Sequence, residues 1–139
     1  MRTKKVKPPP KRYEYILNIS KEYDAVTKRD YISFRFQTTK EFLSFKYVLK
    51  IEFKAEEKNL YFNMLGFTAP IGDLSGSGTA CYEYRMFDFK TAEYNVLIDK
   101  KDSDKSKFRL IIQRSKTQPI MLSHIPKNSF IEIMSENDS

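Results

Sequence analysis

Apolar residues recur at every second position through much of this chain. In residues 45–54, FKYVLKIEFK, one side collects Phe45, Tyr47, Leu49, Ile51 and Phe53 and the other Lys46, Lys50, Glu52 and Lys54, the period of a strand with one buried face. A helix would scatter the same apolar residues around its circumference. The alternation also sets Tyr13, Tyr15, Leu17 and Ile19 against Glu14, Ile16, Asn18 and Ser20, and Ile32, Phe34 and Phe36 against Tyr31, Ser33 and Arg35. Between these two segments the polar run KEYDAVTKRD reads as a loop or a short helical turn.

The turn AEEKN leads back into LYFNMLGF, so residues 47–65 read as a β-hairpin. All four glycines of the chain lie between Leu60 and Phe89, where TAPIGDLSGSGT separates two aromatic-rich runs and reads as strand, long glycine loop, strand. In CYEYRMFDF the phase slips where Met86 and Phe87 are adjacent, and a β-bulge is expected there. A second hairpin sets Tyr94, Val96 and Ile98 against Phe108, Leu110 and Ile112 across a charged tip, and IMLSHI and SFIEIM supply one or two closing strands. About eight strands with turn signals every 8 to 12 residues, and no amphipathic helix, predict an all-β domain, an antiparallel β-sandwich or barrel.

The segment FDFKTAEYNVLI resembles the tyrosine corner of immunoglobulin-like and fibronectin III-like sandwiches, in which an apolar residue, a polar turn and a tyrosine approach the penultimate strand. The resemblance implies an immunoglobulin-like β-sandwich in which Tyr94 is buried and its hydroxyl bonds to backbone near the turn from Phe87 to Ala92. The paired cysteines and core tryptophan of antibody domains are not in the sequence. A lipocalin-like closed barrel is the alternative architecture, and its sign would be an apolar interior cavity.

Composition sharpens this picture. At 139 residues with 11 Phe and 9 Tyr, the chain is long enough for one domain with its own core. The net charge of +7 resides almost wholly in residues 1–12, which carry +6 and three prolines, so residues 13–134 form a nearly neutral body and 135–139 a polar tail. Any nucleic-acid binding is therefore expected to be weak and lodged in the basic tail, aided by an aromatic sheet face. No run of about 18 apolar residues and no secretory signal is present, and a single cysteine, Cys81, forms no internal disulfide, which points to a cytoplasmic protein.

Catalytic readings fail on residue type. GDLSGSGT lacks the lysine and the following helix of a phosphate-binding loop. His124, the only histidine, cannot assemble a zinc site with one cysteine, and no nucleophile elbow surrounds any serine. Cys81 has no basic cluster near it in sequence, and Asp99, Asp102 and Asp104 share their hairpin tip with four lysines, which opposes Ca²⁺ binding. No cofactor, metal or membrane span is expected. The sequence instead suggests a non-enzymatic binding or assembly module that holds a protein partner, or a second copy, through loops and strand edges. The candidate contact residues are Gly72, Asp73, Ser75, Gly76 and Gly78 in the glycine loop, with Tyr82 and Tyr84 behind it. Carriage of an apolar small molecule is a further alternative, and an enzyme comes last.

Overall fold

Alternation of the kind above makes strands, and strands are what the computed structural model contains: β1 (Tyr15–Asp24), β2 (Arg29–Phe42), β3 (Val48–Glu56), β4 (Asn59–Thr68), β5 (Gly78–Met86), β6 (Glu93–Lys100), β7 (Lys105–Ile112), β8 (Ile120–Ser123) and β9 (Ile131–Glu136). The structure describes residues 14–42, 48–68, 78–100, 104–126 and 129–136. The basic tail, the glycine loop from 69 to 77 and the last three residues lie outside that range.

The buried sides are those the pattern marks. Tyr15, Leu17 and Ile19 of β1, Ile32, Phe34 and Phe36 of β2, Leu49 and Ile51 of β3, and Tyr94, Val96 and Ile98 of β6 all enter one core. Phe62 of β4 sits at its centre, with ring centroids 5.1 Å from Phe34, 5.0 Å from Phe36 and 4.9 Å from Phe53. Such tilted ring pairs add about 0.5 to 1.5 kcal/mol each beyond the burial of their area.

The nine strands of the described residues belong to one sheet, in the order β8-β7-β6-β4-β3-β5-β2-β1-β9. The sheet curls until its two outermost strands, β8 and β9, lie against each other, which makes a nearly closed barrel. The all-β expectation is met, and the single curled sheet matches the barrel alternative rather than two separate sheets. Its interior is filled by side chains, with Phe34, Phe36 and Phe62 fully inaccessible.

Three pairings are parallel, β1 with β9, β3 with β5 and β4 with β6, which departs from the antiparallel expectation. Side-chain alternation reports which face is buried but not which way a neighbour runs. Two junctions are looser than the rest. Between β3 and β5 the only bridge among the described residues joins Val48 to Cys81, and no ladder register joins β8 to β9.

The hairpin turns explain themselves locally. Asp24 ends β1 and accepts hydrogen bonds from the Val26 N–H and the Thr27 hydroxyl, both at 3.0 Å, while Lys28 takes φ 60° and donates its N–H to the Asp24 carbonyl at 2.7 Å. Between β3 and β4 only the two residues Glu57 and Lys58 form the loop, and Glu57 adopts φ 58°, the sign a type II′ turn needs at its first position. In β4 the register slips where Lys50 faces Gly66 but Ile51 faces Met64, so Leu65 is the extra residue of a bulge and Gly66, at φ 121°, supplies its backbone. No bulge lies at Met86 and Phe87. Alternation simply continues, with Met86 turned into the core and Phe87 turned outward onto Tyr31, 5.1 Å between centroids.

Candidate functional site

Where β3 and β5 part, the barrel opens at one end into a groove of about 790 Å³. Its floor is apolar, formed by Phe53 of β3, Leu60 of β4 and Tyr84 and Met86 of β5. Phe53 and Tyr84 stack with centroids 3.9 Å apart and an interplanar angle of 23°. They are half-buried, and desolvation raises the Tyr84 hydroxyl pKa above its ordinary value.

Backbone geometry follows from the turn. In a two-residue hairpin the flanking pair, here Glu56 and Asn59, is hydrogen-bonded, so Glu56, Lys54 and Glu52 spend their N–H and C=O groups on β4. Ala55, Phe53 and Ile51 therefore aim theirs sideways, toward β5. From Tyr82 to Met86, β5 in turn has ladder partners only on β2 among the described residues. The groove is thus bordered by two strand edges.

Tyr94 forms its far wall. It is 4% exposed, and its hydroxyl accepts the Lys90 N–H at 2.9 Å, the hydrogen bond expected of a tyrosine corner. The bond fixes the connection between β5 and β6 and with it the position of Lys90 on the rim. Lys58 is placed from the other side, since its carbonyl accepts the Asn95 N–H at 2.9 Å and ties the β3–β4 turn to β6.

The outer lip is an ordered set of charges and rings. Arg29 pairs with Asp88 at 2.9 Å and lies 5.0 Å from the Phe87 ring, and Arg85 pairs with Glu83 at 3.1 Å and lies 4.7 Å from the Tyr31 ring. Burial works against the Glu83 charge. Hydrogen bonds from Ser33, at 2.7 Å, and Arg85, with the charges of Arg85 and Arg35, outweigh it and hold the carboxyl below its usual range. Each arginine of the lip has a carboxylate, whereas the rim lysines Lys58 and Lys90 have no ion pair among the described residues.

Of the residues singled out from sequence, Gly72, Asp73, Ser75 and Gly76 lie outside the described residues, and Gly78 is the first residue of β5. The 69–77 segment joins strands on either side of β3, for Val48 faces both Thr68 and Cys81. Tyr82 and Tyr84 turn into the barrel, where Tyr82 lies 6.2 Å from Phe36 and Tyr84 lies 6.3 Å from Phe34, and the outward side of β5 presents Cys81, Glu83 and Arg85. Phe53, Lys58, Arg85 and Lys90 carried no site signal, because nothing in the alternation says that β3 and β5 are neighbours.

His124 is exposed at φ 58°, with Nδ1 2.9 Å from the Ser123 hydroxyl, and this pair is far in kind from an oriented triad. Among the described residues no group of three His, Cys, Asp or Glu side chains could hold a metal, and no helix is long and apolar enough to cross a membrane. No family model, curated protein or solved structure matches this chain.

Proposed function

We propose that this protein is a non-enzymatic binding module that takes an extended segment of a protein partner along the seam between β3 and β5. One observation carries the reading: two strand edges that share a single bridge among the described residues, Val48 to Cys81, border a groove with an apolar floor. An added strand bonds to edge N–H and C=O groups whatever its sequence, and pockets below alternate side chains give selectivity.

Ala55 offers a clean test. It is exposed and aims its N–H sideways rather than at β4, so Ala55→Pro removes an edge donor while leaving the hairpin ladder intact. Decapeptides selected from a random displayed library are expected to shift the amide resonances of Ile51, Phe53 and Ala55 and of residues 82–86. They should lose binding to Ala55→Pro, whose melting temperature stays that of the parent. A selection that yields no binder, shifts clustered on another face, or binding indifferent to the proline overturns the proposal.

A further inference from the structure

Resting on that reading, we infer the chemistry of the segment: an acidic peptide with a large apolar residue at its centre. A strand lying along β3 turns alternate side chains toward the barrel and away from it. Those turned inward meet the stacked Phe53 and Tyr84 and the buried Leu60 and Met86, a surface that accommodates an aromatic or branched aliphatic group and offers little to a charge.

One end of the segment meets the rim, because β3 and β5 run parallel and both lead into it. There the charges are unevenly matched, since Arg29 and Arg85 are already paired with Asp88 and Glu83. Lys58 at the β3–β4 turn and Lys90 on the β5–β6 connection are exposed and without ion pairs among the described residues, with Glu57 as the lone unpaired acid lining the groove. The unmet charge is positive. Carboxylates on the rim side of the apolar anchor complete these lysines, and the rim thereby orients the strand and raises its rate of encounter.

A single-stranded nucleic acid would also bring negative charge and an apolar face. It needs open aromatic faces to stack on. Here Phe53 and Tyr84 are stacked on each other at 3.9 Å, and Tyr82 faces the interior beside Phe36. The geometry favours a peptide.

The probes are three labelled peptides of one pattern, X-X-Thr-Phe-Thr-Val-Thr-X-X, with X as Glu, Gln or Lys, titrated by fluorescence anisotropy against the full chain. The Glu peptide is expected to bind about fivefold tighter than the Gln peptide, the size of two exposed ion pairs, and the Lys peptide more weakly still. This order should flatten in high salt and reverse in the double variant Lys58→Glu/Lys90→Glu, whose two positions are exposed and outside the core. Replacing the Phe of the peptide by Ser should abolish binding. Equal affinity of all three peptides, with each still lost on Ala55→Pro, overturns the acidic preference and leaves the seam reading standing. Binding of none of them, or binding that survives Ala55→Pro, overturns both. An oligothymidylate that competes with the Glu peptide and depends on the same two lysines would assign the site to nucleic acid instead.

Discussion

The rings of Phe53 and Tyr84 stack at 3.9 Å across the β3–β5 junction, where the backbones share a single bridge among the described residues. Side chains therefore do at this level what ladder hydrogen bonds do elsewhere. A double-mutant cycle of Phe53→Ala and Tyr84→Ala in urea unfolding should give a coupling of about 1 kcal/mol. A coupling indistinguishable from zero would show that the two rings are merely adjacent.

Tyr94 makes a second, separable contribution. Its ring is core and its hydroxyl accepts the Lys90 N–H, so Tyr94→Phe should keep the packing and cost about 1 kcal/mol. Amide exchange at Lys90 should quicken in the variant. Unchanged stability and unchanged exchange would mean the bond contributes nothing.

Ser106 points the other way. It is 2% exposed on the inward side of β7, opposite Ile98, and its hydroxyl has no hydrogen-bond partner among the described residues. Removing a buried, unsatisfied hydroxyl returns its desolvation cost, so Ser106→Ala is expected to stabilise the protein by roughly 1 kcal/mol. A destabilised variant would contradict the assignment.

The pH dependence of stability should carry the mark of Glu83. Despite the opposing effect of burial, its folded-state pKa is lowered by Ser33 and by the neighbouring arginines. A carboxyl with a depressed folded pKa contributes stability above its unfolded pKa, and that contribution is lost as pH falls through the folded value. Chemical denaturation of the parent and of Glu83→Gln should therefore differ most near neutrality and converge in acid, below the ordinary carboxylate range near 4. A difference that stays constant from neutrality into acid would show that the charge of Glu83 plays no part.

How much of this was legible in the sequence depends on the distance over which each feature is determined. Faces are local, and the alternation of Leu17 with Asn18 or Phe34 with Arg35 told inside from outside before any partner strand was known. The Tyr94 corner spans four residues, and it too could be read directly. Met86 and Phe87 misled because two adjacent apolar residues look like a slip in phase, when the outer one has Tyr31 to cover it. The groove escaped altogether. It exists because β3 and β5 are parallel neighbours, and no property of either segment encodes that adjacency. Whether the strands made one curled sheet or two facing ones was equally invisible, since among the described residues the two arrangements differ at the bridge between Val48 and Cys81 and at the meeting of β8 with β9.

The parallel ladder that sets Tyr15 beside Ile131 also has a consequence for the order in which the barrel can be made. β1 leaves the ribosome first among the strands and soon finds β2, but its other edge must wait for β9, the last of them to be translated. Throughout that interval the nascent chain carries an open strand edge, the kind of surface on which neighbouring chains pair. A chain cut short before residue 131 would lack the strand that covers that edge.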